Sequence, residues 1–474
     1  MNVLFCASEA APFAASGGLG DVAGSLPRAI RNRKVACRVV MPLYGDIKPE
    51  WREKMKYLTN FNVPVGWRNQ YCGVFEMTWD GVKYYFLDNE YYFKRMGLYG
   101  FYDDGERFAF FSRAILEMLF HIDFKPDIIH TNDWETALVP VYLNLYYRHL
   151  EEFRNIKTVF TIHNIQYQGK YGLEILEDTV GVSRADAHIL EYDGCANFMK
   201  GAIECADKVT TVSPSYAGEI LDPWYSHGLD GLLRKKQYKL CGILNGIDTK
   251  GYDPATDKNL AENYDSATFA KGKPVCKKDL QEIFGLHDWP VPVVAMVTRL
   301  VGHKGVDLVR HVAQEIVNNG CQLVVLGSGE HEYESFFGDL AARNPGSVGV
   351  KIGFIPSLAR KIYGGADMFL MPSKSEPCGL SQMVALRYGT IPIVRATGGL
   401  RDSIHDSGDG QGNGFVFDNY NAHEMLHAIL RAKEGYEHAE GWQVLVKRAM
   451  ECDYSWSASA KQYVDMYEQV CSLW

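Results

Sequence analysis

Ten short apolar stretches, β-branched or aromatic-rich and mostly followed by a helical period, recur along this chain in two sets. The first set is Val3–Ser8, Ala36–Met41, Ile128–Thr131, Thr158–His163 and Lys208–Ser213. The second is Val293–Arg299, Gln322–Gly327, Gly349–Gly353, Met368–Pro372 and Thr390–Arg395. A strand with no polar alternate face must be covered on both sides, which calls for parallel sheets flanked by helices. The pattern therefore predicts a doubly wound α/β unit, twice over, and 474 residues suffice for two such domains. The expected boundaries are 1–248 for an N-terminal Rossmann-like domain and 249–456 for a C-terminal one. The polar, turn-rich stretch Thr249–Pro274 reads as the linker between them. Residues 457–474 read as a C-terminal helix packing back on the N-terminal domain. The segment Trp51–Gly100, rich in Tyr and Phe, reads as an excursion off the first sheet. Two such domains are expected to face each other across a cleft, with ligand at the C-terminal edges of both sheets.

Charge and cysteine content narrow the partners. With 49 basic and 58 acidic residues the net charge is −9, which opposes nucleic acid or an anionic membrane as the principal partner. No run of 18 apolar residues occurs. The chain opens directly on a strand with no basic leader, the pattern of a mature cytoplasmic protein. Its eleven cysteines are scattered without a Cys-x-x-Cys pair, so they read as reduced core thiols and not as a disulfide frame or zinc site.

Four constellations carry chemistry. Ser16-Gly-Gly-Leu-Gly-Asp-Val22 is a glycine loop opening a helix, which lets backbone approach an anion closely. Its glycines at 18, 20 and 24 do not make the dinucleotide fingerprint, and a tight strand-to-helix turn explains the loop equally simply. Arg299-Leu-Val-Gly-His-Lys-Gly305 places two cations at a strand mouth, enough to hold a diphosphate, or merely two surface charges. Pro372-Ser-Lys-Ser-Glu-Pro-Cys-Gly-Leu380 and Ala396-Thr-Gly-Gly-Leu400 are further strand-to-helix turns. There Glu376, fixed by Pro377 beside a helix N-terminus, is suited to sugar hydroxyls, and the Thr397–Gly398 amides to phosphate. The last group, placed in the N-terminal half, is His130-Thr-Asn-Asp-Trp134, Thr161-Ile-His-Asn164 and Asn245-Gly-Ile-Asp248. Three glycine-bearing helix starts and an Arg–Lys pair spread over both halves favour a phosphorylated ligand. No Asp pair at i, i+2, no Walker loop and no G-x-S-x-G elbow occurs.

On these residues, with Ser8-Glu-Ala-Ala-Pro-Phe13, Thr161–Gln168, Gly364–Pro372, Glu376–Gln382 and Thr397–Asp402, the chain resembles bacterial-type glycogen and starch synthases along nearly its whole length. Those are retaining, ADP-glucose-dependent glycosyltransferases of the GT-B fold. The resemblance implies a hexosyltransferase moving α-glucosyl from ADP-glucose to the non-reducing end of an α-1,4-glucan such as glycogen, with no metal and no other cofactor. By position, Arg299 and Lys304 would bind the donor diphosphate and stabilise its departure. Glu376 would hold glucose hydroxyls, helped by the Cys378 and Gly379 amides. His163 and Asn245 would contact the transferred glucose, and Asp133 would lie near the reaction centre. Thr397 and Gly398 would bind phosphate, and Phe354 would stack on adenine. Ala15, Gly17, Gly18 and Asp21 of the glycine loop and Asn164 complete the implied substrate contacts. Domain closure is implied as well, since these residues come from both halves.

Three positions depart from that family. Ala15 stands where a Lys is usual, which removes a cation and implies reduced activity. Ile355-Pro-Ser replaces a usual acidic pair, and Ser375 a usual aromatic. Two other readings stay open: a catalytically weakened paralogue that binds glucan or regulates a synthase, and a GT-B transferase using UDP-glucose. Stacking of sugar on aromatics near Tyr91–Tyr102 competes with plain packing. Oligomeric state is not legible.

Overall fold

Apolar strands that bury both faces organise the computed structural model, which describes residues 1–472; Leu473 and Trp474, the end of the expected C-terminal segment, lie outside the described residues. The chain divides into two units, Met1–Ile243 together with the chain from Trp456 on, and Leu244–Ser455.

The first unit is built on a nine-stranded sheet of β1 (Asn2–Cys6), β2 (Ala36–Pro42), β3 (Lys56–Val65), β4 (Arg68–Trp79), β5 (Val82–Asp88), β6 (Ile128–Asn132), β7 (Lys157–Ile162), β8 (Lys208–Thr211) and β9 (Leu240–Gly242). Their order is β9-β8-β7-β6-β1-β2-β5-β4-β3. All neighbours are parallel except β5–β4 and β4–β3, which are antiparallel. The segment Trp51–Gly100 is therefore not an excursion off the sheet. It supplies one parallel strand and an antiparallel edge hairpin, whose alternating exposure suits a one-sided face. The Tyr91–Gly100 end of this segment is pinned by the wholly buried Arg107, which donates to the carbonyls of Tyr92 (2.7 Å) and Leu98 (3.0 Å) and to Asp104 (2.8 Å).

The second unit holds a six-stranded parallel sheet of β10 (Val293–Val297), β11 (Gln322–Gly327), β12 (Val348–Ile352), β13 (Met368–Met371), β14 (Ile391–Arg395) and β15 (Phe415–Phe417), in the order β12-β11-β10-β13-β14-β15. Here too the expected strands recur within a residue or two, with β9 and β15 added; each is only three residues long, too short to show a period. The stretch Thr249–Pro274 is not a free linker. Its Asp257 accepts from Tyr388 Oη (2.5 Å), its Tyr264 hydroxyl donates to the Tyr388 carbonyl (2.5 Å), and a helix begins within it at Phe269.

Among the parallel strands of each sheet the order reverses once, between β1 and β6 in the first unit and between β10 and β13 in the second. At such a point the two neighbouring connections leave in opposite directions and open a crevice at the carboxyl ends of the strands.

The C-terminal helix Trp456–Ser472 belongs to the first unit and packs against the helix Gly18–Arg31. Its Tyr467 hydroxyl meets His130 Nδ1 (2.6 Å), while His130 Nε2 meets Thr161 Oγ1 (2.6 Å). His130 is thus a core residue whose burial lowers it to about 3, and it belongs to the packing rather than to a site. No described helix is long and apolar enough to cross a membrane.

Candidate active site

Each reversal point carries a cluster of functional side chains. In the first unit β1 runs into the glycine loop, and the helix opening at Gly18 has Gly17 as its N-cap. A residue outside the sequence-based candidates organises this loop. Glu9 accepts from the Ser16 amide (2.8 Å), the Ser16 hydroxyl (2.7 Å) and the Gly20 amide (3.0 Å). Gly20 is dictated by space, because a Cβ there would stand 2.3 Å from the Ala15 Cβ. Ala15, Gly17, Gly18 and Asp21 are exposed along this turn. Although Asp21 as a residue is exposed, its carboxyl is partly desolvated by the surrounding loop, and this and then the Glu9 carboxylate push it up.

Asp133 follows β6 at φ 59° and ψ −179°, a conformation that side-chain-bearing residues avoid and that costs on the order of 1–3 kcal/mol. Its Oδ1 accepts the amides of His163 (2.7 Å) and Asn164 (3.3 Å) at the end of β7. Burial nevertheless raises Asp133 to about 7, the two amide bonds offsetting only part of that rise. Asn132 donates through Nδ2 to the Cys6 carbonyl (2.9 Å), so its Oδ1 is the acceptor for His163 Nε2–H (2.8 Å). That assigns His163 as the Nε2–H tautomer with Nδ1 unprotonated. Desolvation lowers His163 to about 3, which keeps the ring neutral at physiological pH. Glu135, also outside the candidates, is buried with Oε2 unpartnered, and burial beside Asp133 lifts it well above the usual carboxylate range. This end of the first sheet thus gathers the carboxyl groups of Glu9, Asp133 and Glu135, hydrogen-bonding groups suited to sugar hydroxyls.

In the second unit the carboxyl ends of β10 and β13 enclose a cavity of about 200 Å³, lined among others by Arg299, Lys304, Ser373, Glu376 and Gly379. The short turn that carries Lys304 ends at Gly305 (φ 78°), where a Cβ would stand 2.1 Å from the Pro372 carbonyl oxygen. Lys304 Nζ bridges both oxygens of Glu376 (3.1 and 2.8 Å), and Ser373 Oγ donates to Oε2 (2.9 Å). Glu376 is therefore held by Lys304 and Ser373. Pro377 and a helix start do not fix it, since the next helix begins only at Ser381. Arg299 lies two residues past β10, exposed.

Behind Glu376 the second glycine turn closes the wall. The Gly399 amide donates to the carbonyls of Glu376 and Pro377 (both 3.1 Å), and Gly398, at φ 46°, would carry a Cβ 2.0 Å from the Glu376 carbonyl oxygen. Thr397 and Gly398 are buried there. The Cys378 thiol, pushed up to about 12 by burial, is a neutral neighbour that receives the Asn245 backbone N–H. Asn245 accordingly sits in the second unit, not the N-terminal half, and its buried Oδ1 has no hydrogen-bond partner. Phe354 does not line the cavity; it is 89% exposed on the loop after β12. Among the described residues no group of three His, Cys, Asp or Glu is disposed to hold a metal ion.

Comparison with known proteins bears on both clusters. Residues 2–235 match the family model described as the starch synthase catalytic domain, and residues 284–444 that of glycosyl transferases group 1. The chain is 53% identical to a glycogen synthase of Geobacillus thermodenitrificans (strain NG80-2), over 99% of this chain and 98% of that protein. It is 50% identical to a glycogen synthase of Desulforamulus reducens, over 99% of each. Among solved structures it is similar to the catalytic domain of starch synthase IV from Arabidopsis thaliana bound to ADP and acarbose. That likeness has a TM-score of 0.88 at 34% identity over 99% of each chain. A sucrose-phosphate synthase from Thermosynechococcus elongatus shares the fold at TM-score 0.62 and 17% identity, over 99% of this chain and 98% of that one.

Proposed function

Because the chain belongs to the bacterial glycogen synthase family and has its two-domain GT-B fold, we propose that it transfers α-glucosyl from ADP-glucose to the non-reducing end of an α-1,4-glucan, with retention. The observation that carries this reading is the cavity at the reversal point of the second sheet, which Arg299 lines together with the Lys304–Glu376 pair. Breaking a glycosyl–phosphate bond puts negative charge on the departing diphosphate and positive character on the sugar. Arg299 and Lys304 take up the former without a metal. Glu376, held in place by Lys304 and Ser373, binds glucose hydroxyls, with the Cys378 and Gly379 amides beside it. Thr397 and Gly398 contact phosphate, and Phe354 provides a ring for the adenine. In the first unit neutral His163 accepts a hydroxyl of the transferred glucose, Asp133 lies by the reacting carbon, and Asn164 and the loop of Gly17, Gly18 and Asp21 contact substrate. Asn245 offers its unpartnered Oδ1 to the same sugar.

One observation favours a second reading, a weakened paralogue: the loop carries Ala15 in place of a cation. A donor panel separates the alternatives. Purified protein is given labelled ADP-glucose or UDP-glucose with glycogen as primer, beside Ala15→Lys. The expected result is transfer from ADP-glucose, larger in Ala15→Lys because charge is restored near the diphosphate. Transfer from UDP-glucose alone, or none from either donor, overturns the reading, and an Ala15→Lys rate no higher than that of the parent removes position 15 from the site.

A further inference from the structure

The far end of the second sheet carries a cavity that the transfer chemistry does not use. Its volume is about 820 Å³, within the range of about 300–1,000 Å³ that small-molecule sites occupy. Pro292 and Asp367, which line it, directly precede β10 and β13. The carboxyl ends of those two strands enclose the cavity of Lys304 and Glu376. The five residues of β10 therefore put about 16 Å of sheet between the two cavities.

Much of the wall is apolar and stiff. Tyr436 and Trp442 meet edge to face with ring centres 5.5 Å apart, and Pro274, Pro290 and Pro292 stand in the lining with φ fixed by their rings. Lys277 Nζ donates to the Tyr436 hydroxyl (2.8 Å) and to the Val291 carbonyl (2.7 Å), which holds that wall in place. Trp289 is 49% exposed, with His287 packed on it at 4.6 Å between ring centres. A large ring left half in water beside other rings and prolines costs free energy unless a flat apolar group covers it. A wall already ordered leaves little entropy for a ligand to overcome.

The charges of the lining select the ligand further. Four lysines and three carboxylates belong to it. Each carboxylate has one lysine: Asp367 has Lys277 (2.8 Å), Asp288 has Lys278 (3.3 Å), and Glu437 has Lys433. Lys273 is left over. Its Nζ donates to the carbonyls of Gly364 (2.9 Å) and Tyr388 (3.2 Å) and to Thr390 Oγ1 (3.0 Å), three neutral acceptors that fix the ammonium without cancelling its charge. Burial lowers Lys273 to about 8, and attraction to Asp367 offsets only part of that, since Asp367 also accepts from the Val293 amide (2.8 Å). The lining thus keeps one positive charge in excess at neutral pH, in surroundings where charge is weakly screened. We infer that this cavity is a second ligand site of the chain, taking an aromatic organic anion whose ring covers Trp289 and whose acidic group answers the unmatched lysine. The inference stands apart from the proposed transfer, because none of its residues belongs to that site.

The test is calorimetric titration of the full chain with three probes that share one ring: naphthoate, naphthyl phosphate and the neutral naphthamide. Both anions are expected to bind at a single site, at least tenfold more tightly than naphthamide, and millimolar ADP leaves them bound. The tighter of the two names the acidic group as carboxylate or phosphate. Gln443, exposed in the lining, tests the charge without breaking a contact. Gln443→Glu, which balances the lysines, is expected to weaken the anions at least threefold and Gln443→Lys to strengthen them by as much, with naphthamide unmoved and melting temperatures parental. Ala270→Trp, which fills the cavity from an exposed position, is expected to abolish binding of all three. Anions that do not bind, that ADP displaces, or that bind no better than naphthamide overturn the inference. Parental affinity in both Gln443→Glu and Ala270→Trp overturns it as well, by placing the probes elsewhere.

Discussion

At the scale of single residues, the ion pair of Lys304 and Glu376 has two duties that must be separated. With side chains only 20% and 10% exposed, each neutralises the other. Lys304→Ala is expected to lower turnover at least about tenfold, because one group facing the leaving diphosphate is gone. It also leaves a buried carboxylate unpaired, at a cost of a few kcal/mol in stability. The double variant Lys304→Ala/Glu376→Gln restores the melting temperature without restoring turnover; recovery of both by the second substitution shows that Lys304 acts only as a partner for Glu376. Asp133 gives a prediction with a definite sign. A carboxyl raised from about 3.9 unfolded to about 7 folded binds its proton more tightly in the native state, so its contribution to stability is lost as pH rises between those values. His130 and His163, lowered to about 3, act oppositely: their contribution is lost as pH falls below about 6.5. Asp133→Asn keeps an acceptor for the two amides and removes only the first effect. Its stability relative to the parent should therefore improve on going from pH 4.5 to pH 8, by on the order of 2–4 kcal/mol. Melting curves that stay parallel across that range contradict a raised Asp133.

At the scale of elements, the strand-to-helix turns hold the site, and their glycines are not equivalent. Gly398 combines φ 46° with a Cβ position 2.0 Å from the Glu376 carbonyl oxygen. Gly398→Ala is expected to cost on the order of 2–4 kcal/mol and to displace Glu376, with loss of turnover. Gly338, inside the helix His331–Arg343, has nothing within 4 Å of its Cβ position, so Gly338→Ala should stabilise by about 0.5–1 kcal/mol and leave turnover alone. Equal effects of the two substitutions in thermal melts would remove packing as the reason for Gly398. The same turns show what was legible in the sequence. Buried parallel strands declare themselves by composition, so nearly every site-bearing strand end was placed to within two residues, and Arg299, Lys304 and Glu376 fell at one cavity. Partnerships across the sequence do not declare themselves. The clamp of Glu9 on Ser16 and Gly20, the hold of Lys304 on Glu376, and the burial of Glu135 depend on which strands lie side by side. β3 and β4 read as an excursion in the sequence because an edge hairpin alternates exposed and buried positions where central strands do not.

At the scale of the whole chain, the first unit is completed from the far end of the sequence. The chain leaves it at Ile243, builds the second unit, and returns at Trp456. The returning helix buries Trp456, Tyr463, Val464, Met466, Tyr467 and Val470, and Tyr467 partners His130 in the core. At about 1.5–3 kcal/mol for each large apolar side chain, this burial is worth on the order of 10 kcal/mol, comparable to the entire stability of a typical domain. Removing the helix would also leave His130 without its hydroxyl partner. A chain ending at Ser455 is therefore expected to lose the cooperative unfolding of the first unit while the second keeps its own transition. Calorimetry reads this directly: two transitions in the full chain, and one surviving in the truncated chain. Tyr467→Phe is the gentler control, expected to lower only the first unit's transition, by about 1–3 kcal/mol for the unpaired imidazole nitrogen. If the truncated chain retains both transitions at their parental temperatures, the C-terminal helix is dispensable packing and the first unit closes its core without it.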